Sequence, residues 1–106
     1  MSKILLIYDE IGYWGTTAKD VAQFLIDNEG ESIDVHINSP GGDVFDAYAI
    51  YNTLKNTPSV TIYVDGIAAS AAAIIALCGK PLKMAAASQL MLHSASSGAY
   101  GNKKEL

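Results

Sequence analysis

The stretch YVDGIAASAAA, residues 63–73, carries the pattern that decides the fold. Alternating apolar and polar residues over 60–64 predict a strand, and Asp65-Gly66 predicts the turn that ends it. Ser70 then opens a helix of small apolar residues that extends to Cys78. A serine at this junction can act as a nucleophile, because the helix start and the N–H of Ala71 would stabilise a developing oxyanion. Taken alone, the segment fits a serine that only caps a helix better than it fits a nucleophile.

Strands and helices alternate on both sides of this segment. Thr17 followed by Asp20 is typical of a helix start, and Gly30 of a helix end. Alternating strands and helices indicate crossover connections, so we predict one α/β domain over residues 1–106 with a largely parallel sheet. The predicted strands are 3–8, 33–37, 60–64, 82–86 and 90–93, and the predicted helices are 17–30, 44–54 and 70–78.

Two further segments can supply chemistry. Gly41-Gly42 follows a strand and can expose backbone N–H groups, so the N–H of Gly42 would complete an oxyanion hole with that of Ala71. His93 ends an apolar strand, where a neutral imidazole can accept the serine proton. The alternatives are an ordinary turn and a surface histidine. The other histidine, His36, lies between apolar strand positions, and we expect it to be solvated.

Composition narrows the possible functions. The 106 residues carry a net charge of −4 with only seven Lys and Arg, which gives no electrostatic footprint for nucleic acid. The longest apolar run, 67–78, is too short to span a membrane, which takes roughly 20 residues. The single cysteine, Cys78, lies in the apolar helix and is expected to be an inert core residue. Two separated histidines predict no metal site, and we expect no cofactor.

Three motifs together resemble the ClpP-type serine peptidases. HINSPGGDVFDAYAIYNTL (36–54) resembles their INSPGG motif, VDGIAASAAA (64–73) their GxAAS nucleophile motif, and LMLH (90–93) their base motif. The separations between Gly41, Ser70 and His93 are close to those of the family. The opening ILLIYDEIGYWGTTAKDVAQFL and the form SPGGDVFDAYAIYN resemble the phage branch, the head maturation proteases that process capsid precursors.

The resemblance implies the ClpP/crotonase spiral of ββα units, a Ser–His–Asp triad and a homo-oligomeric ring in the cytoplasm, or in the prohead if the protein comes from a phage. By motif, Ser70 is the nucleophile, His93 the base, and the N–H groups of Gly42 and Ala71 the oxyanion hole. The implied partner is a polypeptide substrate such as a capsid or scaffold protein. No ATPase partner is predicted, because strand 1 begins at once where housekeeping members carry a docking segment.

One departure from the family concerns the triad acid. The family's aspartate follows a handle helix downstream of the histidine, whereas the last carboxylate here is Glu105, too close to His93 to match. Asp65 fits a turn better, so no acid is assigned. We expect a form that lacks the handle and is weakly active or inactive, because losing the orienting acid costs about 10⁴ in kcat. The alternatives are a crotonase-type acyl-CoA hydratase or isomerase, and an inactive structural subunit of the same fold.

Overall fold

Five strands form one parallel sheet in the computed structural model, which describes residues 2–92. The sheet order is β1-β2-β3-β4, and β5 pairs with the far part of β3. The predicted α/β class with a parallel sheet is therefore confirmed. The strands are β1 (Lys3–Ile7), β2 (Ile33–Ser39), β3 (Val60–Ala69), β4 (Leu82–Met84) and β5 (Gln89–Met91), and the helices are α1 (Ala18–Asp27), α2 (Val44–Lys55) and α3 (Ala71–Ala76).

The two central strands bury one face of the sheet. Their alternate side chains are fully or almost fully buried, and the intervening ones are partly exposed, as the period of two in a strand requires. Each helix adds side chains to the same core cluster, such as Val21, Ala47 and Ile75. Within residues 2–92, the other face of β2 and β3 is partly exposed. The buried residues of β2 and β3 are Ile33, Val35, Ile37, Ser39, Val60, Ile62, Val64, Ala68 and Ala69.

Side-chain caps fix where the first two helices begin. The Thr17 hydroxyl accepts the N–H of Asp20, and the Asp20 carboxylate accepts the N–H of Thr17, which confirms the predicted helix start. Asp43 caps α2 by accepting the N–H groups of Phe45 and Asp46. The cap of α2 directly follows Gly42, so the glycine loop is anchored to a helix end.

The third strand is longer than predicted, because it does not end at Asp65-Gly66. β3 runs on to Ala69 because Asn38 bridges an irregularity in its partner, β2, and its Oδ1 accepts the N–H of Ile67 at 3.1 Å. A side chain at position 66 would place its Cβ 2.5 Å from that Oδ1. Gly66 therefore lets two strands approach around a side-chain amide, which is a common role of glycine inside strands. Beyond it, β3 changes partner from β4 to β5.

The third helix lies in the core, as its apolar sequence predicts. Among its residues, Ala71, Ala72 and Ile75 are buried, and α2 packs beside it. The helix ends at Ala76, two residues earlier than predicted, with Leu77 as its cap. The longest of the three helices has 12 residues, and no helix within residues 2–92 is both long and apolar enough to cross a membrane.

The first prediction concerns the close contact at Gly66. We expect Gly66→Ala to lower the free energy of unfolding by about 1–3 kcal/mol, because the added Cβ overlaps Asn38. In an Asn38→Ala background the same change should cost much less, since the obstructing oxygen is gone. Urea denaturation of the two single variants and the double variant gives the coupling energy. Strictly additive effects would contradict this account of Gly66.

Candidate active site

Ser70 occupies the junction where β3 passes into α3. Its backbone has φ 56° and ψ −120°, a left-handed conformation that residues other than glycine rarely adopt. The N–H of Ser70 donates to the carbonyl of Met91 at 2.8 Å, which ties this conformation to β5. Such strain costs about 1–3 kcal/mol and is concentrated at functional sites.

The Ser70 hydroxyl is not used as a helix cap. The Ser70 side chain accepts no N–H group from the first turn of α3, in contrast to the side chains of Thr17 and Asp43, which accept N–H groups at the starts of α1 and α2. The simpler interpretation of this serine, a capping role, is therefore not supported by the geometry. A hydroxyl on a strained strand-to-helix junction is instead available for other chemistry.

The glycine loop packs directly against this junction. Gly41 has φ +111°, and a Cβ added there would lie 2.7 Å from the carbonyl oxygen of Ala69 and 3.0 Å from the Cβ of Ser70. The same point is 3.3 Å from the amide nitrogen of Ala71. Only glycine tolerates both this backbone angle and this proximity. The structure thus brings together the two segments that the sequence singled out separately.

Two backbone amides near the Ser70 junction, those of Gly42 and Ala71, are the candidates for an oxyanion hole. Ile11 bonds to the carbonyl of Gly41 and the N–H of Asp43, each at 2.8 Å, so the N–H of Gly42 between them faces away from Ile11. The N–H of Ala71 belongs to the first turn of α3, whose amides have no partner within the helix. Across residues 2–92, neither amide donates to a protein acceptor.

His93 lies outside the described residues, so its position relative to Ser70 stays a prediction. The strand that leads to His93 does reach the junction, because β5 pairs with the end of β3 and Met91 lies opposite Ala69. Met91 also accepts the Ser70 N–H. The strand that precedes His93 therefore ends at the nucleophile candidate.

Asp65 and His36 form a polar pair that the sequence did not predict. Asp65 lies inside β3 rather than in a turn, and its carboxylate is 2.8 Å from Nδ1 of His36 on the neighbouring strand. The Tyr8 hydroxyl donates to the same carboxylate at 2.5 Å. His36 is also stacked on Tyr63, with ring centroids 4.5 Å apart. His36 was expected to be solvated, but its side chain is only 25% exposed, because the register places it opposite Tyr63 and Asp65 lies two residues further along β3.

These bonds govern the ionisation of Asp65. Desolvation raises its pKa, but the hydrogen bonds from Tyr8 and His36 and the charge of His36 outweigh that effect, so the pKa lies below its usual value. The hydrogen bond between Tyr8 and Asp65 also raises the pKa of Tyr8, with smaller contributions from desolvation and the charge of Asp65. A carboxylate held this way by two partners on the open face of the sheet is a poor candidate for a triad acid.

Cys78 is buried, as predicted. Burial raises the pKa of the Cys78 thiol, which is what the predicted core role requires. Within the part of the chain that the structure describes, no three His, Cys, Asp or Glu side chains converge as a metal site would need.

Two residues that hold the glycine loop were missed from the sequence. Ser39 is fully buried, and its hydroxyl accepts the N–H of Gly41 at 3.2 Å. Ile11 forms the backbone bridge to Gly42 described above. The polar pair Asn38-Ser39 before two glycines was the available signal for Ser39, whereas nothing local identifies the distant Ile11.

Comparison with known proteins identifies the family. The Clp protease family model matches residues 1–106. The chain belongs to the Clp protease family. The proteolytic subunit of an ATP-dependent Clp protease from Deinococcus radiodurans is 34% identical over 95% of this chain, and one from Bacteroides thetaiotaomicron is also 34% identical over 95%. The chain spans 55% and 51% of these relatives, about half their length.

Solved structures of the same family share the fold. ClpP1 from Listeria monocytogenes is 33% identical, with a TM-score of 0.63 over 71% of this chain and 45% of that one. Its N165D mutant matches equally well. The Clp-like class expected from the motifs is thus confirmed for the half of a Clp protease subunit that this chain spans.

Backbone strain at Ser70 yields a stability prediction. We expect Ser70→Gly to raise the free energy of unfolding by about 1 kcal/mol relative to Ser70→Ala, because glycine adopts this φ without strain. At an ordinary position the sign is reversed, since glycine is the less stable choice. Thermal unfolding of both variants measures the difference, and an Ala variant more stable than the Gly variant would refute the strained backbone.

Proposed function

We propose that this chain supplies the nucleophile, the general base and the oxyanion hole of a serine endopeptidase. Ser70 is the nucleophile, His93 the base, and the N–H groups of Gly42 and Ala71 the oxyanion hole. The observation that carries this is the strained Ser70 junction, whose hydroxyl forms no helix cap, beside two amides that have no protein acceptor within residues 2–92. Membership of the Clp protease family and the LMLH motif support the choice of His93.

The reaction follows from these groups. His93 takes the proton of the Ser70 hydroxyl as Oγ attacks the carbonyl carbon of the scissile peptide bond. The carbonyl oxygen gains the negative charge, and the two amides stabilise it. When the tetrahedral intermediate collapses, the C–N bond breaks and His93 gives its proton to the leaving amine. A water molecule, deprotonated by the same imidazole, then hydrolyses the acyl-enzyme and restores Ser70.

The orienting acid of the triad is proposed to lie outside these 106 residues. Asp65 is already hydrogen bonded to Tyr8 and His36, and the chain spans about half of its curated relatives. By itself, this half is expected to be weakly active or inactive, because an imidazole without its acid adopts the wrong tautomer. The handle helix of the family and assembly into a homo-oligomeric ring belong to the same proposal.

The narrower proposal is a role in processing phage capsid or scaffold proteins in the cytoplasm or the prohead. It rests on the resemblance of segments 4–25 and 39–52 to head maturation proteases. The relatives described above are named as subunits of ATP-dependent proteases, which favours an ATPase-assisted enzyme instead. Cleavage of a coexpressed capsid precursor without any ATPase would distinguish the two.

Two other functions are less well supported. A crotonase-type hydratase or isomerase would share the paired amides but needs no serine and histidine at these positions, and the family model that matches is that of the proteases. An inactive structural subunit would keep the fold, but it would have no reason to retain a strained serine.

The proposed nucleophile can be tested by covalent labelling. A fluorophosphonate probe should label the full-length protein, and Ser70→Ala should abolish the label, because the probe forms its bond only with an activated hydroxyl. Ser88→Ala is the matched control: its hydroxyl is exposed and bonds only locally, to the carbonyl of Ala85. Persistent labelling of the Ser70 variant, located by mass spectrometry, would end the assignment.

The proposed base predicts a pH dependence. In the wild-type protein the labelling rate should rise with pH across the usual imidazole range, around pH 6.5, since only the neutral ring accepts a proton. His93→Gln should lower the rate by about 10²–10⁴ and flatten the profile. His36→Gln serves as the control and should preserve the profile. The base assignment fails if the two variants exchange these behaviours.

A further inference from the structure

Two aromatic side chains stand at the tip of the turn that joins β1 to α1. Tyr13 is 85% exposed and Trp14 is 84% exposed, and the rings meet edge to face with centroids 4.8 Å apart. Large aromatic rings this open to water mark binding surfaces more often than ordinary protein surface. The pair contributes nothing to the core, so its role has to be sought outside the fold.

The turn that carries the rings is held firmly. Gly12 donates to Thr16 at 2.7 Å, Gly15 donates to Gly12 at 2.9 Å, and Thr16 donates to Glu10 at 2.8 Å. A Cβ added at Gly12 would lie 3.0 Å from the Cβ of Asp43, so the turn also rests on the cap of α2. Rings presented by such a rigid turn lose little conformational entropy when they bind a partner.

The turn is continuous with the proposed oxyanion hole. Ile11, which begins the turn, pairs with Gly42 through its own N–H and carbonyl. Tyr13 lies two residues further on, at about 3.8 Å per step, and paired strands are about 4.8 Å apart. The backbones of Tyr13 and Gly42 are therefore within about 12 Å. An extended peptide, at about 3.3 Å per residue, spans that upper limit with three to four residues.

The chemistry around the turn selects among possible occupants. Acidic side chains flank the turn: Asp9 and Glu10 precede it, and Asp43 packs against it. Acidic residues of a bound peptide would be repelled there, whereas apolar side chains can pack against the two rings. A peptide that extends from the oxyanion hole to the turn would thus be selected by its contacts with the two rings.

We propose that Tyr13 and Trp14 form a specificity subsite that binds an apolar side chain of the polypeptide substrate within about four residues of the scissile bond. The inference rests on the proposed function and deepens it by naming a substrate preference. The rings touch the substrate away from the reacting atoms, so they select peptides rather than activate Ser70.

The test compares matched peptides in the full-length protein. Fluorogenic peptides that carry Leu or Gln at each of the four positions on either side of the cleaved bond are hydrolysed by the wild type and by the Tyr13→Ser/Trp14→Ser variant. We expect the double variant to lose about 10–100-fold in kcat/KM, through KM, for Leu at one position, with the Gln peptides and the fluorophosphonate labelling rate unchanged. Ile26→Ser, which removes an exposed apolar side chain at the opposite end of α1, should change nothing.

Other outcomes overturn the subsite in distinguishable ways. Equal losses for Leu and Gln peptides together with slower labelling would make the turn a support of the anion hole. A change in oligomeric state by analytical ultracentrifugation would make it a contact between copies. No loss at any position, with a labelled wild-type enzyme, refutes the subsite alone. A wild-type protein that neither labels nor cleaves refutes the proposed function, and the subsite with it.

Discussion

The close contact between Gly41 and the backbone of residues 69–71 is the constraint on which the site depends. No side chain fits between these two segments, and the approach aligns the glycine loop with the start of α3. It also fixes the left-handed backbone of Ser70, whose N–H is anchored to β5. Sheet, loop and helix thus converge on one residue. Moving any of them would displace the serine from the amides beside it.

The core provides the stability against which this strain is held. The buried faces of β2 and β3 and the small side chains of α3 pack into one apolar cluster, so the junction is fixed from both sides. Alanines at 71–73 let the helix lie close to the sheet, where larger residues would push it away. The cost of a strained serine is of order 1–3 kcal/mol, which a domain of this size can sustain only with such packing.

Much of this arrangement could be predicted because it is local. The period-two alternation in 33–37 and the Thr17 cap were sufficient to locate a strand and a helix. The extension of β3 through Asp65 and Gly66 could not be predicted, because it depends on the side-chain amide of Asn38, which is 29 residues from Ile67 in the sequence. The contact between His36 and Asp65 could not be predicted for the same reason, because it depends on the register between β2 and β3. Ser70 and the glycine loop were found as motifs, while Ile11, which holds the loop, carries no motif.

The central claim is that Ser70 stands beside two amides prepared to hold negative charge. The most direct measurement is a crystal structure of the full-length protein after reaction with a phosphonate. The account predicts a covalent bond to Oγ of Ser70, with the phosphonyl oxygen about 2.7–3.1 Å from the nitrogens of both Gly42 and Ala71. An adduct whose phosphonyl oxygen points into solvent, with neither amide in reach, would contradict it.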